Sequence, residues 1–163
     1  MHAKADIDKA RTNDGRTPCF IAAMEGHTDS LQVLTHAKAD IDKATTDDGA
    51  TPAFMAAQEG HTDSLKVLLQ AAADVTSCLD GNGWCPLLVA SGAGHLEVVR
   101  LLMDRAPQMV HVRTTAEHRG WGQCIAAGST PVDVARLLQR DSILQLLAGE
   151  IASAGGPPKS LRK

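Results

Sequence analysis

The strongest constraint on this chain is a period of 34 residues. Shifting the sequence by 34 positions aligns residues 3–36 with residues 37–70, and 25 of the 34 pairs are identical. A second shift aligns residues 71–104, where only nine pairs are identical, but these include a glycine, a proline and a Gly-His pair. A period of this length is typical of arrays in which each copy is a small structural unit stacked on its neighbours.

The repeated residues predict the structure of one unit. In the first copy, Asp14-Gly15 favours a tight turn with positive φ. Thr17 can then cap a helix that begins at Pro18, where a missing N–H does no harm. Gly26 ends that helix in a left-handed conformation, and a second helix with regularly spaced leucines follows. Each unit is therefore predicted to be a turn, a short helix, a longer helix and an extended finger.

The aromatic content is unusually low for a folded chain of 163 residues. Aromatic residues make up 2% of the sequence, namely Phe20, Phe54, Trp84 and Trp121. A single thick core normally contains more of them, because each buries a large apolar area. Thin helix layers that meet at alanines need fewer. The composition thus agrees with a stacked array and argues against an aromatic-lined platform for nucleic acid.

Charge and hydropathy exclude several classes of partner. The net charge of −3 argues against a basic surface, so we expect no nucleic-acid partner. No apolar stretch approaches the roughly 18 residues that span a bilayer, so we expect no membrane partner. The four cysteines are scattered, and none shows the C-x-x-C spacing of zinc or redox sites. We therefore expect reduced thiols and an intracellular location, in the cytoplasm or the nucleus.

Three segments resemble ankyrin repeats, namely GRTPCFIAAMEGHTDSLQVL, GATPAFMAAQEGHTDSLKVLL and GWCPLLVASGAGHLEVVRLLM. A fourth, GSTPVDVARLLQRDSILQLL, keeps the G-x-T-P element and the leucine spacing but lacks the Gly-His pair. The resemblance implies a mainly α ankyrin-repeat solenoid. Such a fold is an α-α superhelix with β-hairpin-like fingers, here of about four repeats plus an N-terminal partial repeat. It also implies a non-catalytic module that binds another protein.

The spacing also predicts how the chain is divided. The interval from Pro86 to Pro131 is 45 residues instead of 34, which indicates an insertion in the finger between the third and fourth units. The array is predicted over residues 1–148, followed by a flexible tail over 149–163. Its parts are a partial repeat and finger (1–12), three repeats (13–46, 47–80 and 81–108), a long finger insertion (109–127) and a divergent C-terminal repeat (128–148).

The N-terminus begins within a unit, whose helices are missing. We therefore expect the chain to be a piece of a longer array. The first complete unit would then present an uncovered apolar flank, through which self-association is possible.

Several positions depart from the ankyrin pattern. Cys85 replaces the capping threonine of the third unit, which predicts a cap weaker by about 1 kcal/mol. The glycine that normally closes the second helix is replaced by Lys4, Lys38 and Ala72, which predicts strain or a different turn.

The histidines that recur every 34 residues suggest metal binding, but their spacing opposes it. His27, His61 and His95 would stack about one unit apart, roughly 10 Å, whereas zinc ligands lie about 2 Å from the metal. We expect them to be helix-entry histidines that bond to backbone groups. Together with His27, the residues Asp29 and Ser30 provide the three residue types of a Ser-His-Asp catalytic triad. Neighbours on one helix, however, cannot form the hydrogen-bonded chain from nucleophile to base to carboxylate that a triad requires.

One further catalytic alternative is a nucleophile pair of Cys124 with His111 or His118. Nothing around Cys124 resembles a protease signature, and a small apolar cysteine in or near a loop is the favoured interpretation. We therefore predict no catalytic residues, no metal site and no cofactor.

The resemblance to ankyrin repeats implies that partners contact the finger tips and the face formed by the first helices, which together make up the concave side. Trp84 occupies a position that is exposed in the ankyrin pattern, although it can also fold against its own finger. Trp121 either binds a partner or covers the flank of the fourth unit. The partner-binding residues carried over are Asn13, Asp14, Arg16, Met24, Glu25, Asp47, Asp48, Gln58, Glu59, Asn82 and Trp84, with Arg113, Arg119 and Trp121 from the insertion.

Acidic finger tips at Asp14, Asp47 and Asp48 favour a basic or mixed partner surface. The alternative function is the recognition segment of a larger enzyme or adaptor whose catalytic part is absent from this chain.

Overall fold

The computed structural model of the chain describes residues 6–79 and 82–154. Eight α-helices in these residues form four successive helix pairs, which we call the first to fourth units. The predicted mainly α solenoid is confirmed. The pairs are α1 (Pro18–Met24) with α2 (Thr28–His36), α3 (Pro52–Glu59) with α4 (Thr62–Gln70), α5 (Pro86–Ala93) with α6 (Leu96–Arg105), and α7 (Pro131–Leu137) with α8 (Asp141–Ala154).

The helices form two rows that together enclose a thin core. The first helix of each unit packs against the first helix of the next, and the second helices pack in a parallel row. Ala22, Ala56 and Ala90 are buried at equivalent positions of the first row. Because an alanine side chain is small, these positions let neighbouring helices approach closely. Phe20 and Phe54, at equivalent positions of the repeat, are buried in the same core.

The predicted helix starts are confirmed in the first two units. The Thr17 hydroxyl accepts a hydrogen bond from the Phe20 N–H at 3.1 Å, and Thr51 accepts one from Phe54 at 3.2 Å. Cys85 makes no such bond at the start of α5, as its replacement of threonine predicts.

Each unit is preceded by a finger, and a backbone hydrogen bond at equivalent positions closes the base of each finger. The first three bonds run from Arg11 to Arg16, Thr45 to Ala50 and Leu79 to Trp84, at 2.9, 2.9 and 2.7 Å. The residues joined are five apart. In the fourth finger, Thr114 donates to Ser129 at 3.0 Å, fifteen residues away. Most of the inserted residues therefore lie in the tip of the fourth finger.

The insertion folds into a short antiparallel hairpin. Strand β1 (His118–Gly120) pairs with β2 (Gln123–Ile125), and a 3-10 helix over Pro107–His111 leads into this finger. Among the described residues, β-pairing occurs only here, so the described residues of the first three fingers form no β-ladder. Ile125 is fully buried and fixes the base of the hairpin to the core.

The last helix extends further than the sequence predicts. α8 continues to Ala154, into the segment 149–163 that is predicted to be a flexible tail; the remainder, 155–163, lies outside the described residues. The residues AGEIASA contain good helix formers and no proline, so nothing stops the helix at residue 148. Neither α8 nor another helix in residues 6–79 and 82–154 is both long and apolar enough to cross a membrane.

The residues after the second helices adopt a conformation that normally belongs to glycine. Lys38 has φ of 66° and Ala72 has φ of 65°, as their place in the pattern predicts, whereas Lys4 lies outside the described residues. A residue with a Cβ is disfavoured by roughly 1–2 kcal/mol in this region.

We predict that Ala72→Gly stabilises the protein by about 1 kcal/mol, because it removes this strain at an exposed position. The matched control is Ala71→Gly, since Ala71 has an ordinary φ of −81°. That variant should destabilise slightly through the greater freedom of its unfolded chain. Urea unfolding of both variants measures the difference. Equal destabilisation by the two would contradict the assignment.

Candidate partner-binding surface

Histidines and glycines join neighbouring units at the ends of the first helices. The Nε2–H group of His61 donates to the Met24 carbonyl at 3.0 Å, and that of His95 donates to the Gln58 carbonyl at 3.0 Å. Each imidazole lies over the glycine that ends the preceding unit's first helix. A Cβ on Gly26 would stand 2.7 Å from the His61 ring. The expected backbone partners of these two histidines are confirmed.

The fourth unit makes the same link with a different side chain. Arg140 lies over Gly94, and its Nε–H donates to the Gly92 carbonyl at 3.2 Å. Gly92 is the counterpart of Met24 and Gln58 in the repeat. The sequence shows only that the fourth unit lacks its Gly-His pair. Arg140 occupies the histidine's position, ten residues after the capping Thr130, but the sequence alone does not show that its side chain takes over the bond.

The structure does not support the catalytic alternatives. Strand register places Arg119 opposite Cys124 and His118 opposite Ile125. Because neighbouring residues of a strand face opposite sides, the side chains of His118 and Cys124 point to opposite faces of the hairpin. His111 ends the 3-10 helix and is itself exposed. In the described part of the chain, no group of three or more His, Cys, Asp or Glu side chains is arranged to hold a metal ion.

Of the two alternatives that the sequence leaves open for Trp84, exposure is wrong. Only 2% of the residue is accessible, because the inserted hairpin covers it. Its ring lies 4.8 Å from that of His118 and 5.5 Å from that of Trp121, centroid to centroid. The Trp84 indole N–H has no hydrogen-bond partner within the described residues, which costs about 1–3 kcal/mol. Trp84 therefore supports the concave face from beneath.

Trp121 points back toward the third unit. Its ring lies on α5, where a Cβ added to Gly92 would stand 2.7 Å from the ring carbons Cη2 and Cζ3. The alternative that Trp121 covers the flank of the fourth unit is therefore wrong. Trp121 has φ of 49° and is followed by Gly122 at 76°, which form the tight turn of the hairpin. Trp121 remains 39% exposed.

A concave cavity of about 520 Å³ lies between the second unit, the third unit and the hairpin. Gln58 and Glu59 form its side toward the second unit, and Trp121 and His118 form its side toward the hairpin. The Gln58 amide donates to the Glu59 carboxylate at 2.9 Å. No Lys, Arg or His in the described residues forms an ion pair with Glu59.

The acidic residues differ in how far neighbours already bind them. Asp14 pairs with Arg16 at 3.4 Å, and Asp48 accepts the Thr45 hydroxyl at 2.7 Å. Asp47 is exposed at the second finger tip. Glu25 and Glu59 occupy equivalent positions at the ends of α1 and α3, and both are exposed. The carboxylates open to a partner are therefore mainly those at the ends of the first helices.

The remaining predicted residues are spread along the same side. Asn82 accepts the Trp84 N–H at 3.0 Å and so shapes the third finger tip. Arg113 donates to the Gly128 carbonyl at 2.7 Å, which closes the base of the long finger. Arg119 and Asn13 are exposed, while Met24 is half-buried. The structure thus gathers Gln58, Glu59, Asn82 and Trp121 around one cavity and leaves the first-unit residues at a distance along the array.

Comparison with protein families agrees with this geometry. A family model described as ankyrin repeats (3 copies) matches residues 1–78 and 20–114. A search of curated proteins finds no match to the chain. The family match covers the first three units. These are the units that contain the Gly-His pair and are joined by histidine side chains.

We predict that His61→Ala lowers the free energy of unfolding by about 1–3 kcal/mol, because it leaves the Met24 carbonyl without its partner. His27→Ala is the matched control, since His27 occupies the same repeat position but has no such bond in the described residues. It should change stability by less than about 0.5 kcal/mol. Urea unfolding measures both. Equal losses would show that the bond between units contributes nothing specific.

Proposed function

The chain belongs to the ankyrin-repeat family, and we propose that it binds a basic segment of a protein partner on its concave face and finger tips. Ankyrin repeats are generally protein–protein interaction modules. The proposed anchor is a cationic side chain of the partner, preferably arginine, which enters the cavity between Glu59 and Trp121. No catalytic role is assigned to the chain.

The chemistry of the cavity carries this proposal. Trp121 offers a partly exposed indole, and the nearby carboxylate of Glu59 has no cationic partner in the described residues. A guanidinium group stacks on an indole face and forms charge-assisted hydrogen bonds with a carboxylate. Tryptophan also commonly dominates binding energy when it lies centrally in an interface.

The charges around the cavity support the same class of partner. Glu25 and Glu59 form a row along the ends of α1 and α3, and Asp47 adds a carboxylate at the second finger tip. Carboxylates at successive repeat positions attract a chain of basic residues and orient it before contact. An extended basic segment therefore fits this side better than an acidic one.

The first unit offers a second place for contact. Its flank is an open groove of about 590 Å³ in which Ile21 and Leu34 are partly buried and Val33 is 68% exposed. Self-association through this flank stays a prediction, as does an intracellular location. The interpretation of the chain as the recognition segment of a larger enzyme or adaptor also stays a prediction.

The proposal can be tested by selecting random peptides on the immobilised chain. We expect arginine-rich peptides to be enriched and to bind more weakly as salt increases. Glu59→Gln and Trp121→Ala should each weaken a selected peptide by about tenfold, equivalent to about 1.4 kcal/mol. The control is Glu97→Gln on α6, because Glu97 is exposed but already pairs with Arg100 at 3.7 Å.

Enrichment of acidic or purely apolar peptides would contradict the proposal. So would an arginine-rich peptide that binds Glu59→Gln and Trp121→Ala as tightly as the unchanged chain. Circular dichroism of each variant establishes that the array remains folded.

A further inference from the structure

The third finger differs from the first two at the pair of residues just outside its closing bond. The Leu79 N–H donates to the Trp84 carbonyl at 2.7 Å, and this bond is flanked by Cys78 and Cys85. Both flanking positions therefore hold cysteine at once. The corresponding pairs in the first and second fingers are Ala10 with Thr17 and Ala44 with Thr51.

The closing bond brings the two cysteines side by side. In antiparallel chain segments, the residues next to a hydrogen-bonded pair have Cα atoms about 4.5 Å apart. Disulfides need a Cα separation of roughly 4.4–6.8 Å. The closing bond of the third finger therefore predicts a Cα separation of Cys78 and Cys85 that a disulfide can bridge. Cys85 is also held at the start of α5, where Pro86 follows, so its position is fixed.

The two thiols differ in exposure. The Cys85 thiol is fully buried, whereas Cys78 is partly exposed. A hydrogen bond from Cys85 lowers the pKa of the Cys78 thiol to about 7. The same hydrogen bond, together with burial, raises the pKa of Cys85. Near neutral pH, Cys78 is therefore partly the nucleophilic thiolate, whereas Cys85 keeps its proton.

We propose that Cys78 and Cys85 form a redox-active pair that closes into a disulfide at the base of the third finger. The oxidant is a hydroperoxide. The Cys78 thiolate attacks the terminal peroxide oxygen, the O–O bond breaks, and the leaving oxygen takes a proton from solvent water, which gives a sulfenic acid and an alcohol or water. The sulfur of Cys85 then attacks the sulfur of Cys78, and water leaves with the proton from Cys85. Two thiols are oxidised and one peroxide is reduced.

The other two cysteines lack this arrangement. Cys19 is fully buried, and burial raises its pKa to about 11, so it reacts slowly. Cys124 is exposed on β2 and is opposite Arg119 rather than another cysteine. The chain therefore contains one pair of thiols prepared for oxidation and two single thiols of different accessibility.

Oxidation would act on the finger that supports the concave cavity. Asn82 and Trp84 lie between the two cysteines, and both line the cavity. A disulfide across the base of this finger holds that segment in one conformation. The proposed pair does not depend on which partner the concave face binds.

Mass spectrometry of the native chain tests the pair directly. Trypsin releases residues 67–100 as one peptide that contains both Cys78 and Cys85, because no Lys or Arg lies between Lys66 and Arg100. After treatment with hydrogen peroxide and alkylation, we expect this peptide unalkylated and lighter by two hydrogen atoms. Total thiols, counted after unfolding, should fall from the four in the sequence to about two. Dithiothreitol should reverse both changes.

Variants assign the bond. Cys124→Ser should form the disulfide like the unchanged chain, whereas Cys78→Ser and Cys85→Thr should not. Cys85→Thr introduces the capping residue of the other units, so it supplies the cap that Cys85 lacks and keeps the fold. The proposal is overturned if the peptide 67–100 keeps two alkylated thiols while Cys124 is oxidised. Disulfides found only between separate chains would overturn it as well.

Discussion

The structure depends on how closely one unit can approach the next. At the ends of α1, α3 and α5, a glycine with positive φ leaves room for a side chain of the following unit, which binds a backbone carbonyl there. His61 and His95 fill this role in turn, with Nε2 3.0 Å from the carbonyl oxygen. A helix pair of this size cannot bury its apolar faces alone, so this contact sets the spacing at which neighbours bury them.

The inserted hairpin follows from that constraint. Because Arg140 preserves the link between the third and fourth units, the extra residues cannot separate those units and extend from the finger tip instead. There they fold back over the third unit, with Trp121 on Gly92. The hairpin covers Trp84, which thereby becomes a buried residue at the base of the cavity. Trp121 of the hairpin forms an aromatic side of the same cavity.

The local features were predictable because each depends on neighbours in the sequence. The cap at Thr17 and the positive φ of Ala72 follow from their places in one unit. The burial of Trp84, the direction of Trp121 and the substitution of Arg140 for a histidine depend on contacts between units. The insertion occurs once, so the repeat contains no second copy from which its path can be inferred. The cysteine pair was missed for a similar reason, since the C-x-x-C spacing describes helix starts and metal knuckles rather than the base of a finger.

The central claim is that the hairpin lies on the concave face of the third unit, with Trp121 against Gly92. Nuclear Overhauser effects in solution test this most directly, since they report protons within about 5 Å, the scale of van der Waals contact. The account predicts cross-peaks between the Trp121 ring protons and both Gly92 α-protons, together with cross-peaks from His118 to Trp84. Their absence, with a Trp84 indole accessible to solvent, would contradict it.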